Sequence, residues 1–461
     1  MSNALKQFCY NTSRQVMIGL GQELKIQPNV HYRPAGYNTA RVLSLRLVGI
    51  NPHYLSKISA MRKELTMWAG LGDKYLVRIG WEGRSIIVEM PKPPQFWQKV
   101  TIEQLEERRY LRRGPIATLG LGLQDEPRRI NFQEATTAHV LISGLTRSGK
   151  TNIQRLIAWN LARNTTPETA KLLIFDVAKK GHRWSDFNNV AHLAHPPITH
   201  IDQANQTLYW LAQEIGRRGE QGRVTPQLFI IIDELKALID DSPAAADHLA
   251  RVAAAGAEFG LHLVLATQYP QIQMLGSAEL KRNISTRLCG KVDSADAAAN
   301  ALGLPDTGAE SLQGYGDFLL RDFAGLFRLT AAKLENKHMG QLPRSEIRPL
   351  PLPELDEVNQ GRLEKPRPRN EPDPIEPEQV GLALFEPMGI NKLARQLGIG
   401  STKAKRVKLY ANRIRDWALA NGFQRLELES PNQHPCHPNG IVSVWPGKGQ
   451  NGRAKLEQSL K

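Results

Sequence analysis

Residues Gly144 to Thr151 read Gly-Leu-Thr-Arg-Ser-Gly-Lys-Thr. Two glycines at this spacing let a backbone wrap around phosphate oxygens with its N–H groups pointing inward. Lys150 then adds positive charge at the β and γ phosphates, and Thr151 offers a hydroxyl to magnesium. The contacts expected with a nucleoside triphosphate run through Gly144, Leu145, Thr146, Arg147, Ser148, Gly149, Lys150, Thr151 and Asn152. A second group of chemistry-bearing residues, Asp233 and Glu234, comes directly after the most apolar run of the chain, Leu-Phe-Ile-Ile-Ile at 228–232. There Asp233 can join Thr151 in holding the metal through water, while Glu234 orients and deprotonates an attacking water. Gln268, at the end of the apolar run Leu261 to Thr267, can sense a γ phosphate by hydrogen bonding. Arg282 and Arg287 lie just before another strand-like segment, where an arginine can reach a neighbouring subunit's nucleotide; outside that context each is an ordinary surface salt-bridge residue.

Such groups need elements to position them. Val140 to Ser143 reads as a strand running into the phosphate loop, and Ile153, Leu156, Ile157 and Leu161 give the segment after it the apolar face of a helix. Leu172 to Phe175, Leu228 to Ile232 and Leu261 to Ala266 repeat the strand-then-helix alternation of a parallel sheet with crossover helices. Both acidic residues and Gln268 thereby fall at the carboxyl edge of the strands, where open α/β sheets bind ligands. Upstream, the runs Val42 to Val48 and Tyr75 to Ile79, one helical stretch around Leu55 to Trp68, and punctuation by Gly80, Gly83, Pro91, Pro93 and Pro94 predict a small α/β domain.

The chain has 461 residues, too many for one compact core. Lysines and arginines outnumber acids by 60 to 45, a formal charge of +15, which favours a polyanion and above all nucleic acid as partner. The three cysteines, Cys9, Cys289 and Cys436, have neither metal-ligand nor redox spacing, so no disulfide framework or zinc ribbon is indicated and a cytoplasmic setting fits. No apolar run approaches the roughly 20 residues that span a bilayer, and no intrinsic membrane segment is expected.

From His139 to Thr151, through Leu172 to Asp176, Glu214 to Arg218, Phe229 to Leu235, Gly260 to Gln268 and Asn283 to Arg287, to Gly308 to Asp317, the order and spacing resemble the FtsK/SpoIIIE family. That family, within the wider HerA and FtsK group, comprises hexameric double-stranded DNA translocases. Ile58 to Leu71, Val77 to Ile79 and Ile86 to Pro91 are similar to its small α/β domain. The resemblance implies a RecA-like P-loop NTPase core that hydrolyses ATP with Mg2+, in which Lys150 and Thr151 bind nucleotide and metal, Asp233 and Glu234 form the acidic pair, Gln268 is the sensor, and Arg287, ahead of Arg282, is the finger acting across subunits. It implies a homo-oligomeric ring, a hexamer, around double-stranded DNA. The sequence departs from the family at Val177 to Lys180, where Pro-Lys is usual, at Lys236, and in the short segment between Arg218 and Leu228. Without the anchor of septum-bound members, service to a plasmid, phage or integrative element, with recruitment by element-encoded proteins, is the expected role.

The expected organisation is an α/β domain at 1–129, the motor at 130–343, a proline-rich charged linker at 344–378, a winged-helix domain at 379–446 and a basic tail at 447–461. In the fourth part Ile390, Leu393, Ala394 and Leu397 have helical spacing. A second helix comes next, with Ala404, Val407, Ala411 and Ile414 on one face and Lys405, Lys408, Asn412 and Arg415 on another. Lys403, Lys405, Arg406, Lys408, Asn412 and Arg413 are the candidate DNA contacts of a helix-turn-helix; a solvated basic face is the plainer alternative. Phe423 to Leu428 and Ile441 to Trp445 read as wing strands. His434, Cys436 and His437 lie between them without a fourth metal ligand. Two further readings remain open at the level of sequence: an ATP-switched DNA-binding recruitment protein, and a helicase of replication or conjugation.

Overall fold

The computed structural model describes residues 2–25, 39–47, 51 and 53–354 apart from 73–74, 83–84, 243, 269 and 272–274, and further on 390–397, 403–405, 407–409 and 411–412. Residues 1–363 form one compact unit and 364–461 a second.

The first unit opens with helix α1 (Asn3–Leu24), which Ser2 caps by accepting from the Leu5 N–H, then β1 (Val42–Leu47), α2 (Tyr54–Ala60), α3 (Arg62–Trp68), β2 (Arg78–Glu82) and β3 (Ser85–Pro91). The strands pair antiparallel in the order β1-β3-β2. Leu5, Val16 and Leu20 of α1 close a core with Leu43, Leu45, Val88 and Met90 of the sheet. Gly19 makes the packing possible, since a Cβ there would lie 2.3 Å from the Trp68 ring. Where the sequence suggests one helical stretch there are three helices: 54–68 is broken at Met61, and α1 has no counterpart in the sequence pattern.

The expected boundary at 129 falls inside a strand of a different sheet. β4 (Val100–Thr101), α4 (Ile102–Glu107), β5 (Ile116–Gly122) and β6 (Pro127–Asn131) belong with the larger, second sheet. Next come β7 (Val140–Ser143), α5 (Lys150–Asn164), β8 (Ala170–Phe175), α6 (Ile201–Gln221), β9 (Gln227–Ile232), α7 (Leu235–Asp241) and α8 (Ala244–Ala255). β10 (Leu261–Thr267), α9 (Ala278–Asn283), β11 (Thr286–Cys289), α10 (Ala295–Leu302), β12 (Asp317–Asp322) and β13 (Gly325–Lys333) complete the layer. The ten-stranded sheet runs β6-β5-β13-β12-β11-β7-β10-β9-β8, with β4 beside β13. Its half from β11 to β8 is parallel, as the sequence alternation predicts, and its half from β12 to β6 is antiparallel. The earlier start of this sheet has a simple cause. Ala117, Leu119 and Leu121 of β5 share the core of Leu156 and Trp159 in α5, and Gly120 lets the Thr330 carbonyl come within 2.1 Å of where a Cβ would stand.

The central strands read as continuously apolar because both faces are covered. Val140, Leu172, Ile174, Phe229, Ile231 and Val264 face the α5 side, while Leu141, Leu173, Phe175, Ile230, Ile232, Leu263 and Leu265 face α6 to α8. His139 and His262 sit in this core. Burial lowers both imidazoles to about 4, so each is neutral at ordinary pH.

A buried ionic network ties the small sheet to the large one. Glu89 on β3 accepts from Arg78 Nη1 and Arg328 Nη1, each at 2.5 Å, and Arg328 on β13 grips Asp317 of β12 at 2.9 and 2.7 Å. Burial alone would lower the Arg328 pKa, but Asp317 and Glu89 outweigh it and raise it. Removing one partner strands buried charge, so Arg328→Ala is expected to destabilise this unit by about 3–5 kcal/mol in denaturant unfolding. Arg62→Ala, which breaks a more exposed pair with Glu310, is expected to cost less than about 1 kcal/mol. Equal losses for the two variants would contradict the network's role.

In the second unit the described residues show helix α11 (Ile390–Leu397), with Leu393 buried, and helical backbone at 403–405, 407–409 and 411–412. Ala404, Val407 and Ala411 are buried. Lys405 and Asn412 are exposed, and Lys403 and Lys408 half-buried. Arg406, Arg413, the two wing strands, the His434 to His437 loop, the tail and most of the linker lie outside the described residues.

Candidate nucleotide site

Register builds this site. Ser143 pairs with Thr267, Leu265 with Ile232, and Ile232 with Phe175, so β7, β10, β9 and β8 all end at one sheet edge. The phosphate loop, Gln268, the pair Asp233 and Glu234, and Asp176 all leave the sheet at that edge.

The loop turns on left-handed backbone. Gly144 has φ 144° and Gly149 φ 108°; a Cβ at Gly144 would lie 2.8 Å from Ser148 Oγ, and one at Gly149 3.1 Å from the Gly316 nitrogen. Both positions therefore require glycine for conformation and for space. Lys150 lies 9% exposed at the start of α5, its Nζ donating to the carbonyls of Gly144 at 2.6 Å and Leu145 at 3.2 Å. Burial lowers its pKa, opposed by the nearby Glu234 and Asp233. The loop is backed by the segment just before β12: Tyr315 N–H donates to the Arg147 carbonyl at 3.0 Å and Gly316 N–H to that of Ser148 at 2.8 Å. Arg41, from the strand end beside β1, donates to the Tyr315 carbonyl at 2.7 Å while stacking over Trp97.

Asp233 is 4% exposed, and burial is the main reason its pKa is raised; Lys179 and Arg183 act against the rise, Asp176 and Glu234 with it. Thr151 Oγ1 stands 3.4 Å from Asp233 Oδ2. Glu234 has φ 63°, a left-handed conformation uncommon outside glycine and characteristic of functional turns. Its carboxylate accepts from Gln268 Nε2 at 2.9 Å, and Gln268 Oε1 accepts from the Thr146 hydroxyl at 3.1 Å. The three residues form one chain from the acidic pair to the phosphate loop. Asp176, fully buried at the end of β8, has no hydrogen bond to either carboxylate oxygen.

These residues fit a magnesium nucleotide. A hydroxyl and a desolvated carboxylate are hard oxygen donors, suited to Mg2+, and the glycine cradle with Lys150 suits phosphate. Thr151 and Asp233 would hold the metal.

Other expected residues are placed differently. The Asn152 side chain clamps β13, donating to the Ala332 carbonyl at 2.9 Å and accepting from the Leu334 N–H at 3.2 Å. Arg287, half-buried, donates to the carbonyls of Ile284 at 3.1 Å and Lys281 at 2.8 Å, and burial lowers its pKa. Arg282 is exposed. Sequence reasoning missed Arg183, whose Nη1 donates to Thr151 Oγ1 at 2.6 Å, as well as Lys179 and Arg41. The positive charge of the turn after β8 is the one sequence signal for Lys179 and Arg183; Arg41 lies elsewhere, just before β1.

The fold and this edge define a mixed α/β P-loop ATPase core. Residues 103–223 match the profile of the FtsK/SpoIIIE family. Over that segment the chain is similar to the family, and the similarity to DNA translocases extends beyond it. It is 26% identical to the DNA translocase FtsK of Borreliella burgdorferi over 77% of this chain and 48% of that protein. To the DNA translocase SftA of Bacillus subtilis it is 31% identical over 44% of this chain and 23% of that one. The chain thus spans less than half the length of these relatives. Among solved structures it is similar to the monomer form of the pCW3 conjugation coupling protein TcpA with ATPγS, at 16% identity, 76% of this chain, 99% of that one and a TM-score of 0.48. No helix among the described residues is long and apolar enough to cross a membrane.

Because a raised carboxylate pKa means that ionising Asp233 costs stability as pH rises through the carboxylate range, an uncharged isostere should relieve that cost. Asp233→Asn is expected to raise stability by about 1 kcal/mol in thermal melts near neutral pH. By calorimetric titration the same variant should weaken magnesium-dependent ATP binding about tenfold or more. A variant that lost stability and kept its affinity would contradict the assignment.

Proposed function

We propose that this protein is an ATP-driven translocase of double-stranded DNA, working as a homo-oligomeric ring, a hexamer, in the cytoplasm on DNA of a plasmid, phage or integrative element. The observation that carries the reading is the Glu234–Gln268–Thr146 chain. It joins a general base to the loop that binds phosphate, which suits hydrolysis better than a binding switch.

In this reading Lys150 and the loop hold the triphosphate, and Mg2+ supplies charge neutralisation between Thr151 and Asp233 when bound. Glu234 takes the proton of the attacking water as the new oxygen–phosphorus bond forms and the bond to ADP breaks. Gln268 orients Glu234 and, through Thr146, registers whether the loop has closed on a γ phosphate. Arg287 remains the first candidate for the finger acting across subunits. To serve it must release two carbonyls of its own chain; the exposed Arg282 has less to give up.

The excess of 15 positive charges favours a polyanion, and a duplex with a charge every ~1.7 Å supports tracking without regard to sequence. Lys403, Lys405, Arg406, Lys408, Asn412 and Arg413 are proposed as the contacts of a separate DNA-reading helix. Recruitment by proteins of the same element would bring the ring to its DNA.

Duplex DNA is expected to stimulate ATP hydrolysis several-fold, Lys150→Ala to abolish it, and the wild type to displace a third strand from a triplex in an ATP-dependent way. ATPase activity indifferent to duplex DNA, or binding without displacement, would refute translocation. Strand separation on forks without triplex displacement would instead make the protein a helicase.

A further inference from the structure

Arg183 lies in the turn after β8, and the turn is fixed. Lys180 and Gly181 adopt left-handed φ of 50° and 77°, the Gly181 N–H donates to the Asp176 carbonyl at 3.2 Å, and the neighbouring Trp184 is fully buried against Phe187. From this anchored backbone the Arg183 side chain, 45% exposed, reaches inward. Its Nη1 is 2.6 Å from Thr151 Oγ1 and 3.9 Å from Asp233 Oδ2, and those two oxygens are 3.4 Å apart. One guanidinium nitrogen therefore faces both atoms that the magnesium assignment requires.

We propose that Arg183 is a positioning residue that holds the Thr151 hydroxyl beside the Asp233 carboxylate and competes with magnesium for both. The inference rests on the nucleotide reading of this site. A metal bound to the Thr151 oxygen at about 2.0–2.1 Å cannot share that oxygen with a guanidinium at hydrogen-bond distance, because two cations would then stand within about 4 Å of each other. Asp233 is desolvated and needs a positive partner, and Arg183 supplies one. Its half-exposed side chain also lets it leave at small cost. The residue thus keeps the metal-binding oxygens aligned and sets the magnesium concentration at which the nucleotide takes over. Lys179, the other cation that lowers the Asp233 pKa, reinforces the charge without the contact to Thr151.

The test titrates Mg2+ against full-length protein with a saturating N-methylanthraniloyl-ATP probe and reads the midpoint of the magnesium-dependent fluorescence change. Arg183→Ala is expected to lower that midpoint roughly two- to fivefold, the factor that a half-exposed ionic contact contributes. Arg183→Lys, which keeps the charge, is expected to stay near the wild type. A merely structural role would weaken binding or stability without lowering the midpoint. An Arg183→Ala midpoint equal to or above that of the wild type overturns the competition while leaving the nucleotide site intact. A wild type that binds no labelled nucleotide at any Mg2+ concentration overturns the nucleotide reading, and this inference with it.

Discussion

The parallel register of β7, β10, β9 and β8 is the constraint on which everything else in the ATPase core depends. It brings the phosphate loop, Gln268, Asp233 with Glu234, and Asp176 to one edge, although the loop and Gln268 stand 122 residues apart in the chain. Burial on both faces enforces the register, because a slip by one residue would exchange the α5-facing set for the set facing α6 to α8. Gln154 adds a polar lock beneath it, donating from α5 to the carbonyls of Ile232 at 2.8 Å and Val264 at 3.3 Å.

A second line of contacts reaches the same edge from the small sheet. Glu89 and Arg328 set the position of Asp317, whose carboxylate also accepts from the Gln313 N–H at 2.9 Å. Asp317 begins β12 directly after Gly314 to Gly316, the segment that backs Arg147 and Ser148 of the phosphate loop. The small sheet and the phosphate loop are thus joined through buried charge and backbone hydrogen bonds. Arg41 on the Tyr315 carbonyl supplies a second, shallower link.

The sequence made the parallel half of the sheet legible because short apolar runs, each ending in a polar residue, have few other uses. Val140 to Ser143 matches its strand, and Asp233, Glu234 and Gln268 stand where strand ends place them. The antiparallel half was hidden. β5 lies far ahead of its partner β13 in the chain, with most of the parallel sheet between them, and nothing local marks which sheet a short strand joins. Side-chain partners were not legible where a backbone carbonyl is close: Asn152 donates to β13, and Arg287 to carbonyls of its own chain. Arg183 escaped notice because its contact with Thr151 depends on the turn after β8, where the sequence departs from the family's pattern.

If Glu234 and Gln268 act as one unit, removing either should take most of what removing both takes. The direct test is a double-mutant cycle on single-turnover ATP hydrolysis with Glu234→Gln, Gln268→Ala and the pair. Coupling of about 1 kcal/mol or more, with the double variant little worse than the weaker single one, is the predicted result. Effects that add to within about 0.5 kcal/mol would show that the 2.9 Å contact between the two side chains has no part in catalysis and would contradict the account.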